Sequence, residues 1–395
     1  MDYNFDQIID RKSTHCEKWD VKDGELPMWV ADMDFKTAPP IIDALEKRTA
    51  HGIFGYSYVP NYWYDAYINW WKNRYDFSIE KHWLIFTTGV IPAISSMVRK
   101  LTTPAEKVLV QTPVYNIFFN SIVNNGRIPV ECPLKLIEDG PRYVMDFERL
   151  EKDLSDPQVS LMILCNPQNP GGIAWDKESL SKVADLCFKY GVTVISDEIH
   201  CDITDPGVRY TPFASVSDVA RDISVTCLSP SKSFNVAGLH SAAVFAANDK
   251  LRHKVWRGLN TDEVAEPGVY AVEGAVAAYT EGGDWLDSLR EYLYQNKLFA
   301  VDYINKEIPA LRTFEENATY LLWIDCSKLP DEGKDFARYL REKTGLFISA
   351  GKIYGKNGVS FVRMNLACPR SIVEEGLRRL KQGVEQLINE RENIS

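Results

Sequence analysis

The feature that most constrains this chain is an alternation. Six short apolar runs, Trp83 to Thr87, Lys107 to Gln111, Ser160 to Cys165, Val192 to Ser196, Ile223 to Leu228 and Ala242 to Ala246, are separated by amphipathic stretches. Runs this short have the length of strands. The stretches between several of them repeat apolar residues at helical spacing, as in Lys177 to Cys187 with Asp176 available as N-cap. Strand and helix in alternation, with strands apolar on both faces, predict an α/β fold with a largely parallel sheet between two layers of helices.

The pattern changes after Gly282-Gly283. A long helical stretch from Trp285 to about Glu307 is followed by a strand at Tyr320 to Asp325, a helix at Lys334 to Lys343, a strand at Val359 to Asn365 and a last helix from about Ser371. This reads as a second, smaller α+β domain, and 395 residues suit one large domain with a smaller companion. The expected division is an N-terminal arm over 1–48, rich in Trp, Met and Pro, a large domain over 49–283 and a small C-terminal domain over 284–395. No internal repeat or low-complexity tract interrupts it.

A net charge of −10 and a pI near 5.3 argue against nucleic acid as a partner, because phosphate-backbone binding is a basic-patch effect. The eight scattered cysteines form no C-x-x-C and several sit inside apolar runs, so they are expected to be small buried hydrophobes in a reducing compartment. The acidic start has no export pattern, and no apolar run approaches the roughly 20 residues that span a bilayer. A cytoplasmic location without membrane contact is the expectation.

Chemistry enters with Ser229-Pro-Ser-Lys-Ser-Phe-Asn235, which sets Lys232 between small hydroxyl residues. A lysine that forms an imine with a phosphorylated aldehyde needs hydroxyls for the phosphate, little bulk around the amine and an acid for the far side of the ring. Lys232 is therefore a candidate anchor for pyridoxal 5'-phosphate, although the same turn alone reads equally as a surface loop. Four further segments bear on the choice. Thr87-Thr-Gly-Val-Ile-Pro92 joins a strand to a helix, and the free amides of Val90 and Ile91 suit a phosphate at the positive helix end, as they also suit a plain turn. Asn166-Pro-Gln-Asn-Pro-Gly-Gly172 leaves a buried strand at the end where parallel sheets bind ligands. There Asn169 can donate to a ring oxygen, or the stretch is a turned surface loop.

Asp197, at the end of another strand in Asp197-Glu-Ile-His200, is either a cap or salt-bridge partner, or the acid that keeps a pyridine nitrogen protonated. His200 is either a packed polar residue or a donor to the ring oxygen or the loop. Arg363, inside the apolar strand Phe361-Val-Arg-Met-Asn365, either pairs with an acid or offers a planar bidentate grip for an α-carboxylate.

In order, Thr-Gly-Val, the tyrosine of Pro113-Val-Tyr115, Asn-Pro-Gln-Asn-Pro, Ser-Asp-Glu-Ile-His, Ser-Pro-Ser-Lys and Phe-Val-Arg-Met-Asn resemble the class I/II aminotransferase superfamily of pyridoxal-phosphate enzymes. More narrowly, the chain resembles the cystathionine β-lyase (cysteine-S-conjugate β-lyase) group, through Trp29-Val-Ala-Asp-Met-Asp-Phe35, His51-Gly-Ile-Phe-Gly-Tyr-Ser57 and Ala367-Cys-Pro-Arg370. The resemblance implies an aminotransferase-like fold whose large domain holds a mostly parallel seven-stranded sheet between helices. It implies Lys232 as Schiff-base lysine, Asp197 on the pyridine nitrogen, Asn169 and His200 on the ring-oxygen side, and Tyr115 stacked on the ring. Ser229, Ser231, Val90 and Ile91 would hold the phosphate, Arg363 the substrate carboxylate, and backbone around Ala31 and Asp32 the substrate pocket.

Tyr56 would reach the phosphate of a neighbouring subunit, which implies a homodimer with shared sites, its N-terminal arm packed on the small domain and the partner. The chain departs from the family pattern in places. His200 stands where a tyrosine is common, His240 stands where an arginine is common and leaves the phosphate clamp less cationic, and Pro170-Gly171-Gly172 replaces the frequent Pro-Thr-Gly. The activity implied is α,β-elimination at a carbon-sulfur bond of cystathionine, cysteine or S-substituted cysteines, giving a thiol or sulfide, pyruvate and ammonia. An aminotransferase, or a lyase with an added regulatory protein-binding role, uses the same residues.

Overall fold

The computed structural model of the protein describes residues 3–137 and 141–393. Its principal sheet has seven strands: β1 (Leu84–Thr87), β2 (Lys107–Thr112), β3 (Ile128–Pro133), β4 (Val159–Cys165), β5 (Thr193–Asp197), β6 (Ser224–Leu228) and β7 (Ala242–Phe245). They lie in the order β1-β7-β6-β5-β4-β2-β3. Only β7 runs antiparallel to its neighbours β1 and β6, so the other six point one way and their C-terminal ends open on one edge. That edge is where a parallel sheet offers loops and helix N-termini to a ligand.

Six of the strands coincide with the apolar runs to within a residue. The seventh, β3, has Pro129 and Pro133 in Ile-Pro-Val-Glu-Cys-Pro, and proline is tolerated there because β3 is the edge strand. Helices cover both faces, and their apolar stripes close two clusters against the sheet. Val90, Ile94, Met97 and Phe118 pack with Val110, Ile163 and Val225 on one side, while Leu150, Leu180 and Val183 pack with Leu109, Met162 and Val194 on the other. Asp176 caps the Lys177–Lys189 helix by accepting the Ser179 amide at 2.8 Å.

A second sheet, antiparallel, is built from β8 (Arg312–Thr313), β9 (Leu321–Asp325), β10 (Ser349–Ala350) and β11 (Phe361–Asn365) in the order β8-β9-β11-β10. The Gly283–Glu307 helix joins the two parts. Its first half, with Trp285, Leu286, Leu289 and Leu293, belongs to a core shared with the Asn61–Tyr75 helix, while Ala300 and Ile304 belong to a core with the second sheet. The N-terminal 50 residues divide in the same way. Leu26–Pro27 pairs with Leu346–Phe347 beside the second sheet, and Phe5, Met33 and Phe35 pack into the first core. Seven of the eight cysteines are buried and all are free thiols. Among the described residues no helix is long and apolar enough to cross a membrane.

Candidate functional site

Register brings the chemistry-bearing loops together. Asp197, last residue of β5, lies opposite Cys165 of β4 and Cys227 of β6, so the Asn166 loop, the Asp197 turn and the Ser229 turn leave adjacent strands at one level. Asn166 donates its amide to the Asp197 carbonyl at 2.9 Å, and Glu198 donates to Cys227 at 3.1 Å, which ties the three turns at their roots.

The Asp197 side chain is buried and its carboxylate accepts only the Ile199 amide, at 3.1 Å. No cation lies within ion-pair distance of it among the described residues. Burial raises its carboxyl from 3.8 to about 7, opposed by the Ile199 amide and by the charge of Lys232. A carboxylate in that position lacks a positive partner among the described residues, and a protonated pyridine nitrogen would supply one. His200, also buried, has no hydrogen-bond partner for Nδ1 and stands edge-on to Tyr320 with ring centroids 6.1 Å apart. Burial depresses it to about 3, so the ring is neutral near pH 7 and keeps one nitrogen as acceptor.

Lys232 is partly buried and donates Nζ to the Ala31 carbonyl at 2.6 Å. Burial lowers the amine from 10.5 to about 8, offset by Asp32, so a fraction of it is neutral near pH 7. The Ser229 hydroxyl donates to the Ser241 carbonyl at 2.7 Å and accepts the Ser231 amide at 3.1 Å, so its proton serves the turn. The Ser231 hydroxyl lies 2.7 Å from that of Ser229, and its proton can turn from Ser229 to a phosphate oxygen. Val90 and Ile91 open the Val90–Leu101 helix, and amides of a first turn have no acceptor within the helix. His240 is exposed, in a left-handed conformation at φ 52°.

Arg363 points from β11 toward these turns. It is 4% exposed and donates from Nη1 to Asn169 Oδ1 (3.0 Å) and from Nη2 to the Trp29 carbonyl (2.8 Å), while Nε has no partner. Its guanidinium carbon lies 4.9 Å from the centre of the Tyr354 ring. No carboxylate pairs with it among the described residues, so of the two readings open in the sequence the acid partner is absent. A buried guanidinium with neutral partners and unused N–H groups is a receptor for an anion. Tyr115 stands near it, half-buried, and burial pushes its phenol up to about 12.

The segment Trp29 to Phe35 forms the opposite wall, and the sequence alone did not show how it is held. Every carbonyl from Trp29 to Met33 accepts a side-chain donor: Arg363 and Ser349 on Trp29, Asn365 on Val30 and Asp32, Lys232 and Tyr320 on Ala31, Asn235 on Met33. Asn365 and Asn235 were missed as site residues. The signal was Asn365 two places after Arg363, hence on the same face of the strand, and Asn235 three places after Lys232. Gln168 was missed as well. It accepts the Gly171 amide at 2.7 Å and donates to the Pro113 carbonyl, joining the Asn169 loop to the Tyr115 turn, and a Cβ on Gly171 would lie 2.8 Å from its Oε1. Tyr56 alone of the expected residues stands apart, fully exposed in an extended stretch with Ile53, Phe54 and Tyr58.

Residues 30–380 match the family of class I and II aminotransferases. The chain is 41% identical to cystathionine β-lyase PatB of Bacillus subtilis (strain 168) over 385 residues, covering 96% of this chain and 99% of the relative. It is 36% identical to the protein MalY of Escherichia coli (strain K12) over 386 residues, covering 96% and 98%. Among solved structures, the pyridoxal-phosphate-bound C-S lyase from Staphylococcus hominis superposes with a TM-score of 0.91 at 32% identity, covering 97% of this chain and 99% of that one.

Proposed function

The chain belongs to the class I and II aminotransferase family, and from that membership and the site we propose a carbon-sulfur β-lyase that uses pyridoxal 5'-phosphate. It cleaves cystathionine, cysteine or S-substituted cysteines to a thiol or sulfide, pyruvate and ammonia. The observation that carries the substrate class is Arg363, a buried guanidinium that no acid pairs among the described residues, near enough to the Lys232 amine for their charges to interact, as Asp197 is. Bound in the pocket, the cofactor supplies an electron-withdrawing ring conjugated to the amino acid.

The protein's own groups do the rest. Arg363 grips the α-carboxylate and so fixes which bond at Cα faces Lys232. Lys232, with its amine lowered to about 8, takes the Cα proton as a general base and can return a proton to the departing thiolate. Tyr115, raised to about 12, stays protonated near pH 7 and is the second proton source for sulfur. Asp197 holds the pyridine nitrogen in its charged form, His200 and Asn169 serve the ring oxygen, and Ser231 with the Val90 and Ile91 amides receives the phosphate beside a turn braced by Ser229. Tyr56, exposed on an apolar stretch, reaches the phosphate of a second copy, so the enzyme works as a cytoplasmic homodimer. The arm over 1–48, the large domain to 283 and the small domain beyond are its working parts.

The test is release of pyruvate and free thiol from cystathionine, cysteine and an S-alkyl cysteine with no oxo-acid present. Release confirms elimination, while amino-group transfer only when an oxo-acid is added makes the enzyme an aminotransferase. Arg363→Ala should raise KM for these amino acids by roughly 100-fold, since a buried charged partner is lost. An unchanged KM puts the carboxylate elsewhere.

A further inference from the structure

Two cations not named among the expected site residues hold the wall on which Lys232 and Arg363 lean. Lys18 is 1% exposed, and its ammonium lies 2.7 Å from Asp34 Oδ2. Arg11 spans both acids of the segment, Nη2 at 2.7 Å from Asp32 Oδ2 and Nη1 at 2.7 Å from Asp34 Oδ1, and adds a 2.9 Å bond to the Met33 carbonyl. The indole of Trp19 donates to Asp34 at 2.9 Å, and Trp29 donates back to the Lys18 carbonyl at 3.3 Å. Residues 11–19 thus clamp residues 29–34 through both acids.

The clamped strand of chain is also the meeting point of the two reactive groups. Its Ala31 carbonyl accepts Lys232 Nζ at 2.6 Å, and its Trp29 carbonyl, two residues earlier, accepts Arg363 Nη2 at 2.8 Å. Lys232 comes from a turn of the large sheet and Arg363 from the second sheet, and this stretch bonds both. A displacement of the strap therefore moves the base and the carboxylate grip relative to each other.

We infer that Arg11 and Lys18 are positioning residues for the reaction: by clamping the strap through Asp32 and Asp34 they set the distance between Lys232 and Arg363. Reactions that need a proton acceptor over one bond of a gripped substrate lose rate steeply when that geometry slackens. The inference rests on the roles of Lys232 and Arg363 given above.

The experiment compares three holoenzymes, wild type, Lys18→Met and Lys18→Met with Asp34→Asn. Each is followed by melting temperature, hydrogen exchange of residues 28–35, visible circular dichroism of the bound cofactor, and KM and kcat for thiol release from S-methylcysteine. Lys18→Met leaves a buried carboxylate short of a cation, so its melting temperature should fall. The double variant removes the charge of that carboxylate, which in Lys18→Met keeps Arg11 as its cation, and should recover most of the loss. Positioning predicts that the double variant, though stable, still exchanges the strap about tenfold faster, keeps an altered dichroism and shows kcat/KM lowered by roughly 10- to 100-fold.

If activity and dichroism return with the melting temperature, the clamp only stabilises and the inference falls. It also falls if strap exchange is unchanged in Lys18→Met. Should Lys18→Met not fold, Arg11→Lys keeps the charge but loses the fork across both acids, and the same exchange, dichroism and kcat/KM changes are expected of it. Absence of thiol from every thioether with the wild type would refute the lyase reading instead, while exchange and dichroism would still decide the clamp.

Discussion

Lys232 stands between two polar regions that differ in how completely they are satisfied. On the strand-end side, among the described residues, Asp197 accepts one amide and faces no cation, His200 Nδ1 has no partner, and Arg363 has two N–H groups placed on neutral acceptors with Nε unused. On the strap side every carbonyl from Trp29 to Met33 accepts a side-chain donor, and both acids are paired with cations. Buried polar groups without partners cost free energy, and a ligand that completes them recovers it. The strand-end region would be the receptor of the proposed function and the strap its frame.

Substitutions on the two sides should therefore separate activity from stability. Lys232→Ala has the largest effect: turnover and the visible absorbance of the lysine-bound cofactor should both vanish, and a variant that kept the absorbance would break the assignment.

Asp197→Asn should lose most of the rate while the cofactor still binds in part. It also has a stability signature. The folded, cofactor-free protein holds the Asp197 proton up to about 7, whereas an ordinary carboxyl releases it at 3.8, so stability is lost as pH rises through that window. Cofactor-free Asp197→Asn should then melt above the cofactor-free wild type near about pH 8 and lose that advantage toward about pH 4. Equal melting curves at both values would mean that the acid already has a cation.

Asn365→Ala, on the frame, should behave oppositely. It strips donors from the Val30 and Asp32 carbonyls, and a urea titration should show a loss of about 1 to 3 kcal/mol, with a smaller change in activity than either variant above. A neutral result would place water on those carbonyls.

Much of this is legible in the sequence. The six apolar runs became strands because continuous apolar runs of that length are buried on both faces, and Asp176 capped its helix because a carboxylate can accept an amide of the first turn. Strand β3 stayed hidden because its prolines contradict a strand everywhere except at an edge, and edge position is a property of the sheet. The reversed direction of β7 was hidden for the same reason, since direction is a relation between strands. For Lys232, Asp197, Asn169 and Arg363 the residue types and strand-end positions were readable, but each kept a plain structural alternative. Arg363 lost its alternative only when the space around it held no acid.

By itself the sequence determined the α/β alternation, the reactive lysine turn and the order of the polar segments, because these depend on local periodicity and side-chain chemistry. The tertiary structure decided which polar groups are satisfied. Arg11 and Lys18 spend their charge on Asp32 and Asp34, whereas Arg363 and Asp197 have no ion-pair partner among the described residues, and no local pattern separates these cases. The physical reason is that pairing and desolvation are sums over neighbours brought in from distant parts of the chain, here residues 11–19, 29–35, 232 and 363.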